Sequence, residues 1–165
     1  MWSQPEDVAA GVLGSLAGRG ETVATAESLT GGLLAGRITD VPGASRSFVG
    51  GVVAYATRLK VALLDVPPDV VEAHGVVSEE CALAMARGVR LRLDATWGVA
   101  TTGVAGPDTQ DGRPAGTVWV AVAGPEVVRA RLLTLEGDRR EVREGSCEAA
   151  LSLLRDILRE EPGLG

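Results

Sequence analysis

Residues 78–106, SEECALAMARGVRLRLDATWGVATTGVAG, read as a helix, a strand and a glycine-rich loop in direct succession. In the first half Ala82, Met85, Ala86, Val89 and Leu93 recur at three- and four-residue spacing, which gives one apolar helical face. Glu79 and Glu80 stand in the first turn and Arg90 and Arg92 in the last, the signs that the helix macrodipole favours. Thr96 to Thr101 reads as a strand that runs into Gly103-Val104-Ala105-Gly106-Pro107. A helix feeding a strand that ends in such a loop is the unit of an α/β fold, where ligands tend to sit at strand carboxyl ends.

The same alternation extends in both directions. Ser3-x-x-Glu6 is a capping-box pattern ahead of Val8, Ala9, Val12, Leu13 and Leu16, a helix ending near residues 18–20. Residues 21–26 alternate as a strand, and Thr30 is placed to cap a short helix that turns Leu33, Leu34 and Ile38 inward. Val41 to Ser45 is a turn, 48–54 a second strand and 57–64 a short helix, with Pro67–Pro68 as a break. Residues 117–123 and 127–135 form a hairpin about Gly124–Pro125, and Asp138-x-x-Glu141 opens a long final helix. The expected fold class is therefore α/β: one domain, a three-layer sandwich around a mixed, mostly parallel sheet.

Composition narrows the function. At 165 residues and 45% hydrophobic content, one well-buried core fits the chain. No apolar run is long enough to span a membrane, and the N-terminus lacks a signal peptide's basic and apolar segments, so a soluble cytoplasmic protein is expected. A net charge of -6 makes nucleic acid a poor partner. Two distant cysteines and one histidine suggest neither a disulfide framework nor a metal site, so no metal or cofactor is expected.

The basic residues carry more information. Fifteen are Arg, and Lys60 is the only Lys. Arg stays protonated, whereas a buried Lys can lose its proton and act as a base. Tyr55, the only Tyr, precedes it by five residues. Amide hydrolysis needs a nucleophile, a base that later serves as acid, and oxyanion donors. Ser45, Tyr55 and Lys60 could supply the first two, provided that burial and neighbouring cations such as Arg46 and Arg58 hold Lys60 well below its usual pKa.

The same residues also read blandly, with Ser45 in a turn, Tyr55 at a sheet end and Lys60 solvated on a helix. His74 suits a helix end better than a catalytic triad, and no P-loop, dinucleotide fingerprint or complete nucleophile elbow is present. Thr25 to Gly32 runs from a strand into a helix start that could seat a phosphate, and Thr101 to Pro107 could line a pocket.

The run ATAESLTGGLLAGRITDVPGASRSFVGGVVAYATRLK resembles the CinA C-terminal domain family, as do HGVVSEE at 74–80, TTGVAGPD at 101–108, GTVWVA at 116–121 and EGDR at 136–139. The resemblance implies an α/β/α sandwich and a metal-independent amidohydrolase. Such an enzyme converts nicotinamide mononucleotide and water to nicotinate mononucleotide and ammonia, within pyridine nucleotide salvage. It places the nucleophile on Ser45, the base on Lys60 and the accompanying tyrosine on Tyr55. It sets Ser28, Thr30, Thr102 and Gly103 around the substrate, whose phosphate is expected at the helix start of Thr30, Gly31 and Gly32 or against Arg side chains such as Arg139. Leu29 stands where the family commonly has Cys, and residues 56–59 replace its usual S-N-E-A.

The chain looks like the family's stand-alone form. Its expected partner is a small pyridine mononucleotide, with neither nucleic acid nor membrane, and a homo-oligomer is left open. Two rival readings are a non-catalytic nucleotide- or protein-binding module linked to competence and DNA damage, and a Tyr–Lys reductase. The second has a Tyr–Lys spacing one residue too long.

Overall fold

A computed structural model describes residues 7–163. Helix α1 (Val8–Arg19) buries Val8, Ala9, Val12, Leu13 and Leu16. Asp7 caps it by accepting from the Ala9 N–H, and Gly20 ends it in the left-handed region. The Ser3–Glu6 pattern lies outside the described residues. Strand β1 (Val23–Glu27) is buried throughout, as a central strand must be. Then come α2 (Leu33–Thr39), one 3-10 turn (Ala44–Arg46), β2 (Phe48–Val53), α3 (Thr57–Leu64) and α4 (Pro68–His74).

Helix α4 departs from the sequence expectation. Pro67–Pro68 read as a break, but proline is well suited to a first helical turn, where its missing N–H has no partner to lose. Helix α5 (Glu79–Arg92) is capped by Ser78, whose hydroxyl accepts from the Cys81 N–H. It leads to β3 (Trp97–Gly103), then the hairpin β4 (Thr117–Ala123) and β5 (Val128–Thr134). The final helix α6 (Arg139–Glu160) starts with the expected capping box of Asp138 and Glu141.

The sheet order is β2-β1-β3-β4-β5. β2, β1 and β3 run parallel; β4 is antiparallel to both its neighbours, so four of the five strands share one direction. One face packs on α1, α2 and α6 through Leu16, Leu34, Val99, Val120, Leu151 and Leu154. The other packs on α5 through Ala24, Ala100, Met85 and Val89, with α3 and α4 lying against α5. This is the expected three-layer α/β sandwich. Among the described residues no helix is long and apolar enough to cross a membrane.

Three parallel strands ending on one edge bring three segments together: Ser28 after β1, Ala54 to Lys60 after β2, and Val104 to Gln110 after β3. That edge holds the site.

Candidate functional site

Lys60 is 1% exposed, near the start of α3, and it reaches back beneath the end of β2. Its Nζ lies 2.9 Å from Ser28 Oγ, 2.8 Å from the Ala54 carbonyl and 3.2 Å from the Tyr55 carbonyl. An ammonium would donate to all three. A neutral amine would donate two N–H groups to the carbonyls and keep its lone pair for the Ser28 hydroxyl, so the same three neighbours satisfy either state.

Burial pushes Lys60 down from the usual lysine range, partly offset by negative charge on Cys81 and Asp111. The Cys81 thiol is itself pushed up to about 11 by burial. Near neutrality it is therefore uncharged, which leaves Asp111 as the neighbour that opposes the shift. Arg46 and Arg58, expected to depress Lys60, are both exposed, and no cation contributes to the shift. Desolvation alone accounts for it.

Ser45 is not at this site. It is exposed on the 3-10 turn that precedes β2, whereas Lys60 follows β2. The six-residue strand between them is about 20 Å long. The expected Ser45–Lys60 contact is thus replaced by Ser28–Lys60. Tyr55 also differs from expectation. Only its carbonyl meets Lys60; its ring is 57% exposed, and its hydroxyl accepts from Arg139 Nη2 at 3.0 Å. No Tyr hydroxyl–Lys pair of the reductase kind is formed.

The turn after β1 is held by Glu27, a buried carboxylate. Its two oxygens accept from the Leu34 and Ala35 N–H groups at 2.8 and 3.2 Å, so this side chain caps α2. Thr30, expected as the cap, instead pairs with Thr101 through hydroxyls 2.7 Å apart. The helix start at Thr30, Gly31 and Gly32 is consequently not an open phosphate seat, because the N–H groups of Leu33, Leu34 and Ala35 already have acceptors. Gly31 and Gly32 serve the turn, with φ of 58° and 105°. Replacing Glu27 by Gln, which removes the charge and one acceptor, is expected to cost about 2 kcal/mol of stability in urea unfolding.

The cleft above Ser28 has a volume of about 310 Å³. Ser28 and Leu29 form its floor, Tyr55 one wall, and the loop from Gly103 to Gln110 the other, with Arg139 at the mouth. Arg139 Nη1 also donates to the Gly106 carbonyl at 2.6 Å, which ties the mouth together. Arg143, one helical turn on, holds the Leu29 and Thr30 carbonyls at 3.0 Å each. Thr102 is absent from the lining; its hydroxyl donates to the Val76 carbonyl at 2.7 Å. Among the described residues the backbone N–H groups of Leu29, Ala105 and Gly106 have no protein acceptor, and all three residues line the cleft.

Sequence reasoning missed Glu27, Asp111 and Arg143. Asp111 accepts from the Val76 N–H at 3.2 Å and so fixes the loop that carries the cleft wall. His74 is exposed at the end of α4, 3.8 Å from Glu80 and outside the cleft. No group of three His, Cys, Asp or Glu side chains among the described residues could hold a metal ion.

Fold and cleft together define a three-layer α/β protein in which a buried lysine meets a serine at the carboxyl ends of parallel strands. The chain belongs to the CinA C-terminal domain family, whose model matches residues 5–158. It is 52% identical over 147 residues to a CinA-like protein of Frankia casuarinae, a match covering 89% of this chain and 34% of that protein. A CinA-like protein of Gemmatimonas aurantiaca is 47% identical over 160 residues, 96% of this chain and 37% of the relative. The chain thus spans about a third of the length of these curated relatives.

Solved structures agree. A CinA superfamily protein from Klebsiella pneumoniae superposes with a TM-score of 0.91 at 30% identity, covering 96% of this chain and 100% of that one. The competence/damage inducible protein CihA from Agrobacterium tumefaciens gives 0.88 at 33% identity, with 96% and 99% covered.

Proposed function

We propose that this domain is an amidohydrolase that deamidates nicotinamide mononucleotide, with Ser28 as nucleophile and Lys60 as base. The observation that carries the reading is the 2.9 Å contact between a buried lysine nitrogen and a serine oxygen on the floor of an open cleft. Ser28 Oγ attacks the amide carbon while Lys60 takes the hydroxyl proton. The C–N bond then breaks as Lys60 returns that proton to the departing nitrogen, which leaves as ammonia. A water molecule, deprotonated by Lys60, attacks the resulting ester, and Ser28 departs with the proton to give nicotinate mononucleotide. The N–H groups of Leu29, Ala105 and Gly106 are the candidate donors to the oxyanion.

Arg139 supports a nucleotide substrate. Its guanidinium already bridges Tyr55 and Gly106 across the cleft mouth, and a phosphate there would gain a charge-assisted, planar partner. Arg139→Ala is expected to raise KM for the mononucleotide about tenfold or more while changing little for the riboside that lacks the phosphate. The test of the function itself is ammonia release by the purified protein from nicotinamide mononucleotide. Release that depends on Ser28 supports the reading. Binding of the mononucleotide without turnover would replace it with the binding-module reading.

A further inference from the structure

The candidate oxyanion donors sit on two separate segments: Leu29 in the turn after β1, and Ala105 with Gly106 in the loop after β3. Helix α6 reaches both. Arg139 in its first turn holds the Gly106 carbonyl, and Arg143, four residues on and so on the same face, holds the Leu29 and Thr30 carbonyls. Among the described residues no carboxylate pairs with Arg143, unlike Arg140, which holds Glu144 at 2.8 Å. Its hydrogen bonds go to two backbone carbonyls beside the reacting serine instead.

We propose that Arg143 is a positioning residue for the deamidation: it holds Leu29 so that its N–H meets the oxyanion formed when Ser28 attacks. The inference rests on the amidohydrolase reading. The Ser28 carbonyl accepts from the Gly31 N–H at 3.0 Å, so across that trans peptide the Leu29 N–H points the other way, with no protein acceptor. The Thr30 carbonyl has the Leu33 N–H at 2.9 Å as well as Arg143. The Leu29 carbonyl has Arg143 alone among the described residues. No other hydrogen bond among them fixes the peptide between Leu29 and Thr30. A planar guanidinium fork meets both carbonyls at once, as a lysine ammonium on its flexible stem does not. Without it that peptide is free to turn, and the neighbouring Leu29 N–H turns with it.

The test is steady-state ammonia release from nicotinamide mononucleotide and from its thioamide analogue, with circular dichroism to confirm folding. Arg143→Ala is expected to lower kcat for the amide about 10²-fold, the scale of a misplaced catalytic group, with KM within about threefold. Sulfur is a weak acceptor, so the thioamide gains less from an oxyanion donor and should lose less than about tenfold. A merely structural defect, or a disturbed Ser28 or Lys60, would slow both substrates alike. Arg140→Ala removes a neighbouring charge and should stay within about twofold of the native rate. Arg143→Lys, which keeps the charge without the fork, is read in the same way should the alanine variant not fold. A native kcat in the Arg143 variant, an equal loss for both substrates, or a raised KM with kcat intact overturns the inference and leaves Ser28 and Lys60 as assigned. A native protein that releases no ammonia overturns the amidohydrolase reading, and this inference with it.

Discussion

Ser28→Ala is expected to lower ammonia release from nicotinamide mononucleotide by about 10⁴-fold or more, the scale of losing a serine nucleophile that works as a unit with its base. Ser45→Ala should leave the rate within about twofold, as for an ordinary surface substitution. The contrast follows from where each serine stands relative to its strand. Ser28 comes directly after β1, is 9% exposed and meets Lys60 at 2.9 Å; Ser45 comes before β2, on the opposite edge of the sheet. In Ser28→Ala the lysine keeps the Ala54 and Tyr55 carbonyls, so the fold should survive and the loss should appear in kcat. Steady-state kinetics on both variants decide the matter. A Ser45→Ala enzyme as inactive as Ser28→Ala would reject the assignment.

The alternation of elements was legible because α5 and α6 carry their caps, charges and apolar faces in plain order, and because the β4–β5 hairpin turns at Gly124–Pro125. Helix α4 was hidden: none of its seven residues is fully buried and only Val70 and Val71 lean, half-buried, on the core, too short an apolar face to betray it behind two prolines. The site was half legible. A single lysine among fifteen arginines marked the buried amine that meets Ser28, and the glycine loop after β3 marked the wall.

Ser45 was expected beside Lys60 from the resemblance alone, and a local turn pattern does not state which end of the sheet it occupies. Counting strand ends would have done so, since segments that follow parallel neighbours share an edge. Ser28 and Tyr55 follow strands, and Gly103 ends one. Glu27 gave no local signal, because its partners lie seven and eight residues away, across a turn built on two positive-φ glycines. Such a contact exists only once the turn has formed.

Lys60→Met and Lys60→Arg should both abolish ammonia release, by a factor comparable to Ser28→Ala if serine and lysine act together. Methionine has no basic nitrogen, and the guanidinium keeps its proton at any working pH. The proposed mechanism uses the neutral amine, so the rate should rise with pH through the lowered Lys60 pKa; an arginine in its place leaves no such limb to observe.

The same group sets a second, independent readout. Unfolding returns Lys60 to water and to its usual pKa of about 10.4. Between the lowered folded value and that unfolded value, the unfolded chain binds more protons, so stability increases with pH across this window. Below the window the buried ammonium costs stability; above it both states are neutral and the penalty is gone. Urea midpoints of the native protein and Lys60→Met, followed from about pH 6 to about pH 10, cancel the titration of every other group. The native protein should gain on the variant as pH rises. A difference that stays flat or shrinks would mean that burial does not hold this amine below its ordinary range, and the chemistry assigned to Ser28 would lose its base.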